Sequence, residues 1–219
     1  MKVCILGSNG FLGYNLMRDR PSDWVGISRK ELDLLNQQMV DDFFKNNTFD
    51  VVVHCGAKLH EESMYENVLM FENVVRAFKG KILYFSSGAA VRGTPPTDQY
   101  GLSKWIIDRR IETLPNTHSL RIWGCFGPNE LPTRFSAVCS REGHVTIDKD
   151  RYFDFIDVED VRKVVDQYIN ETRNDKELDL VYPEVRLLSQ WAKIFGATHE
   201  IKDTTELGEP YISQRIKLI

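Results

Sequence analysis

The chain has 219 residues, of which 42% are hydrophobic and 27% charged, the composition of one large globular domain with a buried core. Its formal net charge of −4, from 28 basic and 32 acidic residues, argues against the basic surface of a nucleic-acid-binding protein. No apolar run approaches the ~20 residues of a membrane span, and the apolar start MKVCILG breaks at a glycine instead of continuing as a signal peptide. We therefore expect a cytoplasmic protein with no nucleic-acid or membrane partner.

Short apolar segments alternate with amphipathic segments through the first 128 residues. The predicted strands are KVCILG, DWVGISR, FDVVVHCGA, KILYFSS and HSLRIWGCFG. The predicted helices are FLGYNLMRDR, QQMVDDFFKNN, YENVLMFENVVRAFK and SKWIIDRRIETL, and the second of them places Met39, Val40, Phe43 and Phe44 on one face. Strands that alternate with helices predict an α/β fold with a doubly wound parallel sheet covered on both sides.

The regular alternation of predicted strands and helices becomes less clear after Pro128. RYFDFIDVEDVRKVVDQYI reads as a strand, a turn and a helix, and LDLVYP and LSQWAKIFG follow. We interpret this part as a small cap on the main sheet. The expected division is residues 1–128 for the main domain and 129–219 for its remaining elements and the cap, in one compact unit.

Four cysteines are scattered along the chain, and no two of them form a C-x-x-C pair. This spacing supports neither a disulfide framework nor a metal site. Cys4 and Cys55 lie in apolar strands, where a buried thiol is the simplest interpretation.

Three glycines, Gly7, Gly10 and Gly13, follow the first strand directly and open the first helix. This context is typical of a dinucleotide-binding loop, in which glycines allow a tight turn, close approach of a pyrophosphate, and close packing of helix on strand. The alternative is a plain strand–helix turn. The expected cofactor contacts in this loop are Gly7, Asn9, Gly10, Phe11, Leu12 and Gly13.

The end of the second strand distinguishes the two nicotinamide cofactors, because an acidic residue there binds the ribose hydroxyls of NAD. Ser28, Arg29 and Lys30 occupy this position, and no carboxylate appears before Glu31. An arginine suits the 2′-phosphate of NADP, so NADP(H) is favoured over NAD(H), with a solvated basic turn as the alternative.

The segment YGLSK places Tyr100 and Lys104 four residues apart, on one face if the segment is helical. A free tyrosine has a pKa of about 10 and is a poor acid or base at neutral pH, but a nearby ammonium lowers that value. A serine hydroxyl near such a pair would orient and polarise a substrate carbonyl. The pattern is that of a site that protonates a ketone oxygen during reduction by hydride.

Taken together, GSNGFLG, YFSSGAA and YGLSK resemble, in this order, the extended short-chain dehydrogenase/reductase superfamily, in its NAD(P)-dependent nucleotide-sugar epimerase, dehydratase and reductase branch. LRIWGCFGP and YFDFIDVEDV resemble later segments of that family, and ISRKELDLLNQQMVDDFF is similar to a stretch of GDP-fucose synthase. The chain is also similar to dTDP-4-dehydrorhamnose reductase. The resemblance covers nearly the whole chain and implies a Rossmann-type sheet with a small, trimmed C-terminal substrate cap.

The resemblance implies that Tyr100 is the catalytic acid/base and that Lys104 is its partner. SSGAAVRG lacks the tyrosine that often follows the catalytic serine, so alignment places either Gly88 or Ser87 at that position. We assign Ser87, which would also contact substrate, with Ser86 beside it. The other implied cofactor contacts are Ser28, Arg29, Asp33, Leu34, Cys55, Gly56, Ala57, Lys58, Ser86, Tyr100, Lys104 and Gly124.

The implied substrate is a nucleotide-linked sugar, with Arg134 and Arg151 as candidate ligands of its diphosphate. The polar loop His60, Glu61 and Glu62 lies near the expected cleft, either touching substrate or simply solvated. The expected activity is an NADP(H)-dependent reductase or epimerase of a 4-keto-6-deoxy sugar, in carbohydrate biosynthesis. The alternatives are a 4-epimerase or dehydratase with tightly bound NAD, and a non-catalytic dinucleotide-binding redox sensor or scaffold. A homodimer through YENVLMFENVVRAFK and SKWIIDRRIETL is also expected.

Overall fold

The computed structural model describes residues 1–60 and 63–214. Strands and helices alternate through the first part of the chain, as the hydrophobic pattern predicts. In chain order the elements are β1 (Val3–Leu6), α1 (Phe11–Met17), β2 (Trp24–Ile27), α2 (Gln37–Asn46), β3 (Val51–His54), α3 (Ser63–Ala77), β4 (Lys81–Ser87), α4 (Gln99–Glu112), β5 (Thr117–Ile122), β6 (Gly124–Phe126), α5 (Phe135–Glu142), β7 (His144–Lys149), β8 (Tyr152–Phe153), β9 (Phe155–Asp157), α6 (Val158–Ile169), β10 (Glu177–Asp179), β11 (Arg186–Leu187), α7 (Leu188–Ile194) and β12 (Thr198–Asp203). A short 3-10 helix follows β4 at Gly88–Val91.

The main sheet has the strand order β10-β5-β4-β3-β1-β2. The pairings of β1 with β2, of β1 with β3 and of β3 with β4 are parallel. The predicted α/β class with a Rossmann-type doubly wound sheet is confirmed. The chain winds from β1 to β2 on one side and from β3 to β4 on the other, so a crevice opens at the carboxyl ends of β1 and β3.

Strand β1 is buried on both faces, as its continuous apolar sequence predicts. Cys4 and Leu6 pack in a core cluster with Met70 of α3. Val3 and Ile5 point to the opposite face, because a strand has a two-residue period, and they are also fully buried. The sheet is therefore covered on both sides.

The predicted apolar face of α2 is correct except at its first residue. Val40 is fully buried, and Phe43 and Phe44 pack against the same core cluster. Met39 is instead 40% exposed. It precedes Val40 by one residue, or about 100° around the helix, and this rotation carries it toward solvent.

The chain divides into two units, Met1–Arg121 with Arg162–Leu178, and Ile122–Val161 with Asp179–Ile219. The expected boundary after residue 128 falls inside the second unit. The chain leaves the first unit after β5 and returns to it for most of α6 and for β10.

The segment LDLVYP, assigned from the sequence to the cap, contributes β10 to the main sheet instead. Leu178 is buried, and the Ser119 N–H donates to the Lys176 carbonyl oxygen at 2.9 Å. Residues 129–219 were expected to hold remaining elements of the main domain, but this strand was not identified among them, because its partner strand lies more than fifty residues away and a three-residue strand carries no periodic signal of its own.

The predicted fifth strand, HSLRIWGCFG, is divided at Trp123. Its first part is β5 of the main sheet, and its second part, β6, pairs in parallel with β9 of the second unit. In that unit β7 and β12 also pair in parallel, and β8 and β11 pair antiparallel. Elements α5, β7 and β12 were not predicted from the sequence, although Val145 and Ile147 alternate with polar residues in β7.

The core of the second unit is aromatic. The Phe155 ring centroid lies 5.3 Å from that of Trp191 and 5.5 Å from that of Phe195. The Trp191 indole N–H donates to the Phe153 carbonyl oxygen at 2.7 Å. In the part of the chain that the structure describes, no helix has the length and apolar character needed to cross a membrane.

Candidate active site

The glycine loop lies at the carboxyl end of β1, in the crevice of the sheet. Gly7 has a φ of +81°, and a Cβ there would lie 2.9 Å from the Gly56 nitrogen in the loop after β3. A Cβ on Gly13 would collide with the Gly7 carbonyl oxygen. The turn and the packing of α1 on β1 therefore require both glycines, as predicted.

Gly10 differs from these two glycines, because a Cβ there would meet only the Gly7 carbonyl oxygen, at 3.4 Å. Gly10 and Asn9 are exposed, while Phe11 and Leu12 begin α1 and are half-buried. The surrounding protein leaves space at Gly10. The loop backbone can therefore be approached by a ligand from this side, which is the role expected for the second glycine.

A cavity of about 110 Å³ lies between the ends of β1 and β2 and the loop after β3. Its walls bring together seven of the residues predicted from the sequence to bind a cofactor. Its lining is Leu6, Gly7, Ile27, Ser28, Arg29, Leu32, Asp33, Leu34, Ala57, Lys58 and Met70. Apolar side chains form most of this lining, with a few polar groups at the edge, which suits a flat heterocycle that carries a polar substituent.

Glu31, which lies in sequence between the lining residues Arg29 and Leu32, is a functional candidate that the sequence pattern did not single out. One of its carboxylate oxygens, Oε2, accepts hydrogen bonds from the Ser28 backbone N–H at 2.7 Å and from the Ser28 hydroxyl at 2.6 Å. These hydrogen bonds lower the pKa of Glu31. Arg29 is exposed beside it. The Glu31 carboxylate thus occupies both the backbone and the side-chain donor of Ser28.

Asn67 of α3 is a second residue that the sequence analysis passed over. Its side-chain oxygen accepts from the Lys58 N–H at 2.8 Å, and its amide donates to the Lys58 carbonyl oxygen at 3.0 Å and to the Ser103 hydroxyl at 3.2 Å. Ser103 in turn donates to the Tyr100 carbonyl oxygen at 2.7 Å. Asn67 therefore ties the loop after β3 to the first turn of α4. An asparagine in helical register with the apolar residues Met70, Phe71 and Val74 is the sequence signal that could have identified it.

The rest of the loop after β3 is held by backbone and charge contacts. The Cys55 N–H donates to the Leu6 carbonyl oxygen at 3.0 Å, and Lys58 forms a salt bridge with Glu66. Burial raises the pKa of the Cys55 thiol, which keeps it uncharged. His60 Nε2 lies 2.6 Å from a Glu66 carboxylate oxygen. Glu61 and Glu62 lie outside the described residues.

Helix α4 begins at Gln99, four residues before its predicted start, so it includes the whole of YGLSK. Asp98 caps it by accepting from the Gly101 N–H at 2.7 Å. A Cβ on Gly101 would lie 2.8 Å from the Ala89 carbonyl oxygen of the 3-10 helix. The glycine of YGLSK therefore permits close packing between the tyrosine-bearing turn and the segment that follows Ser87.

The two serines at the end of β4 point in different directions. The Ser86 hydroxyl donates to the buried carboxylate of Asp108 at 3.0 Å, which also accepts from Arg121 at 2.8 Å. The Ser87 hydroxyl caps the 3-10 helix by accepting from the Ala89 N–H at 3.2 Å. Ser86 was predicted to contact the cofactor, but its side chain is engaged in the core, so only its backbone is available for such a contact.

Lys104 lies one helical turn after Tyr100, and its ammonium nitrogen is 5.5 Å from the centroid of the Tyr100 ring. The lysine is only 2% exposed. It donates to the Tyr84 hydroxyl at 2.7 Å and to the Phe85 carbonyl oxygen at 2.8 Å. Burial lowers its pKa from 10.5 to about 7. The ammonium is thus held beside the tyrosine ring, in a position to favour the phenolate.

Three predicted site residues belong to the second unit. A Cβ on Gly124 would lie 2.6 Å from the Phe155 ring, so packing within this unit requires the glycine. Arg134 precedes α5 and is exposed, and Arg151 is exposed with its guanidinium 5.8 Å from the centroid of the Phe153 ring. Their roles toward cofactor and substrate stay predictions.

Comparison with known proteins identifies one family and several solved structures with a similar fold. The profile of the NAD dependent epimerase/dehydratase family matches residues 3–181. No curated protein matches the sequence. A dTDP-4-dehydrorhamnose reductase from Bacillus anthracis str. Ames, solved in complex with NADP, has a similar fold, with a TM-score of 0.80 and 19% identity over 96% of this chain and 88% of that one.

Two further solved structures have the same fold. The GDP-mannoheptose C4 reductase MlghC from Campylobacter jejuni, with NADP bound, has a TM-score of 0.74 and 18% identity over 95% of this chain and 88% of that one. A GDP-L-fucose synthetase from Naegleria fowleri has a TM-score of 0.76 and 14% identity over 91% of this chain and 83% of that one.

Proposed function

The chain belongs to the NAD dependent epimerase/dehydratase family, and from this membership we propose that it is an NADP(H)-dependent reductase or epimerase of a nucleotide-linked sugar. The observation that carries the proposal is the placement of Lys104, buried on the same face of α4 as Tyr100, in a unit that also holds the glycine loop. A surface turn alone would not need a buried ammonium beside a tyrosine ring.

The residues at the carboxyl ends of β1 to β3 fit a nicotinamide dinucleotide. The space at Gly10 accepts a pyrophosphate, and the cavity beside Ser28 and Leu34 accepts an adenine. Arg29, exposed at the cavity edge, would pair with a 2′-phosphate. Two of the solved structures with this fold were obtained with NADP, which supports NADP(H) over NAD(H). When bound, the cofactor supplies or accepts the hydride.

The protein's own residues handle the proton. Tyr100 donates it to the sugar oxygen, and the Lys104 ammonium stabilises the phenolate that remains. The Ser87 hydroxyl, at the entrance to the 3-10 helix, donates to the same oxygen and fixes its position. In the reverse direction Tyr100 accepts the proton, so one arrangement serves both reduction and oxidation.

The proposed substrate is a 4-keto-6-deoxy sugar carried on a nucleoside diphosphate and reduced at C4, as a step of carbohydrate biosynthesis in the cytoplasm. The names of the similar structures refer to sugars linked to dTDP or GDP; one names a 4-dehydro sugar and another a C4 reductase, which supports a 4-keto substrate. The exposed arginines Arg134 and Arg151 would bind the diphosphate. We also propose that the protein acts as a homodimer.

The proposal is tested by assaying the purified protein with NADPH and with dTDP- and GDP-linked 4-keto sugars, while NADPH consumption is followed by absorbance. The matched control is the corresponding 4-hydroxy sugar, which cannot be reduced. Consumption of NADPH that depends on the keto sugar supports a reductase. Interconversion of 4-hydroxy sugars without net consumption of NADPH, together with release of NAD when the protein is denatured, would identify a 4-epimerase. Loss of water from the nucleotide-linked sugar would identify a dehydratase. Binding of dinucleotide with no turnover of any sugar would favour the redox sensor or scaffold.

A further inference from the structure

Tyr84 of β4 is a buried tyrosine that none of the roles above uses. It is 1% exposed, and its hydroxyl oxygen accepts a hydrogen bond from the Lys104 ammonium at 2.7 Å. The ammonium nitrogen lies 4.4 Å from the centroid of the Tyr84 ring and 5.5 Å from that of Tyr100. Lys104 is therefore placed between two tyrosine rings, one in the core and one at the candidate site.

Lys104 forms no salt bridge with a carboxylate among the described residues; burial lowers its pKa, and the charge of Asp108 offsets this lowering only in part. The nearest acid on its helix, Asp108, binds the Arg121 guanidinium at 2.8 Å and accepts from Ser86 and Ser119. Over residues 1–60 and 63–214, no carboxylate lies within salt-bridge distance of Lys104. Two neutral oxygens hold the ammonium instead, the hydroxyl of Tyr84 and the carbonyl of Phe85.

The remaining groups around this pair carry no compensating charge. The His54 ring of β3 has its centroid 5.4 Å from that of Tyr84. Burial lowers the pKa of His54 to about 3, so its imidazole is neutral at physiological pH. The buried Cys55 thiol is also neutral because burial raises its pKa. Helix α3 contributes the apolar Phe71 ring, 5.1 Å from Tyr84. Burial raises the pKa of Tyr84 itself, which keeps its hydroxyl neutral as well.

We propose that Tyr84 is a positioning residue, whose hydroxyl keeps Lys104 charged and directed at Tyr100. This inference rests on the proposed function of Tyr100 and Lys104. Of the three N–H groups of the ammonium, Tyr84 and Phe85 take two, and the third has no hydrogen-bond partner among the described residues. That third group is the one available to a bound ligand. Removal of the Tyr84 oxygen leaves a buried charge with a single acceptor, which favours the neutral amine.

The test is Tyr84→Phe, which keeps the ring and removes the hydroxyl. Because the ammonium is then lost at a lower pH, we expect the basic limb of the pH profile of kcat/KM to move down by about one pH unit. The variant should approach the wild-type rate at pH 6 and fall below it by about tenfold at pH 8. Tyr168→Phe is the matched control, since it removes another buried tyrosine hydroxyl, which donates to the Asp175 carbonyl oxygen at 3.0 Å and does not contact Lys104. Tyr168→Phe should have the same pH profile of kcat/KM as the wild type.

A uniform loss of activity at every pH, or an unchanged profile, would overturn the proposal. An independent measurement uses the wild-type protein with isotopically labelled lysine. We expect an NMR signal of the Lys104 side chain, assigned by its loss in Lys104→Met, with a contact to the Tyr84 ring and titration far below that of exposed lysines. A Lys104 signal that titrates like an exposed lysine and lacks that contact would also overturn it. This measurement needs no substrate, so a failure to find any sugar turnover would count against the proposed function alone.

Discussion

The Glu31 carboxylate accepts two hydrogen bonds from Ser28, one from its backbone N–H at 2.7 Å and one from its hydroxyl at 2.6 Å. Both donors lie at the end of β2, where we propose that the 2′-phosphate of NADP binds. A phosphate bound there would be repelled by the carboxylate, so we expect Glu31 to turn away when NADP binds. Glu31 is exposed and has the freedom to do so.

This relationship predicts that Glu31→Gln binds NADPH more tightly than the wild type. The neutral amide releases Ser28 more easily and does not repel the phosphate, so the Kd for NADPH should fall by about threefold to tenfold. Fluorescence titration with NADPH and with NADH measures both constants. The Kd for NADH should change little, because NADH lacks the 2′-phosphate.

Arg29→Ala is expected to act in the opposite direction. It removes the exposed guanidinium that we assign to the 2′-phosphate, so NADPH binding should weaken by about tenfold or more while NADH binding is nearly unchanged. Lys30→Ala, its neighbour outside the cavity lining, is the matched control. Equal losses for the two cofactors, or a wild type that binds NADH more tightly than NADPH, would contradict the assignment.

Tyr100→Phe is expected to separate catalysis from binding. The change removes the proton and keeps the ring, so kcat should fall by about 10²–10⁴-fold while the Kd for NADPH stays close to that of the wild type. Steady-state kinetics with a reducible nucleotide sugar give the first quantity and fluorescence titration the second. Turnover at the wild-type rate would remove Tyr100 from the mechanism.

The choice of Ser87 over Ser86 as the catalytic serine is tested in the same assay. Ser87→Ala should lower kcat more mildly than Tyr100→Phe, with little change in stability, because the Ser87 hydroxyl accepts only one long hydrogen bond, of 3.2 Å. Ser86→Ala should instead lower the unfolding temperature, since it removes a donor to the buried Asp108 carboxylate. If Ser86→Ala lowers kcat in a stable protein and Ser87→Ala does not, the assignment is off by one residue.

His54 is expected to make the protein sensitive to acid. Burial lowers its pKa from 6.5 to about 3. Between these values the unfolded chain binds a proton that the folded chain does not, so the free energy of unfolding falls as the pH drops, by up to about 1.4 kcal/mol per pH unit. Between pH 7 and pH 4, the free energy of unfolding of His54→Phe, measured with denaturant, should fall less than that of the wild type. His144→Gln, on the exposed end of β7, should follow the wild type.

Light scattering tests the predicted homodimer. The apolar residues of α3 and α4 that we assign to the interface differ in burial. Phe71 is fully buried, while Val68, Val75, Trp105 and Ile106 are only partly buried. The partly buried residues have area left for a partner, so we expect the mass of a dimer at micromolar concentration. A monomeric mass at that concentration would rule out this mode of assembly.

Much of the first unit followed from the sequence because its signals are local. Continuous apolar strands, an amphipathic α2 and three glycines after β1 each depend on residues close together in the chain. The same is true of Tyr100 and Lys104, whose four-residue spacing implies a shared helical face before any fold is known. These patterns were sufficient for the α/β class, the glycine turn between β1 and α1, and the family.

The tertiary structure decided the contacts that join distant segments. Two adjacent serines look equivalent in the sequence, but packing of β4 against α4 turns Ser86 toward Asp108 and leaves Ser87 at the 3-10 helix. The partner of Lys104, Tyr84, comes from a strand twenty residues away. Burial beside that strand, rather than the motif, lowers the pKa of the lysine to about 7, because desolvation depends on everything packed around a charge.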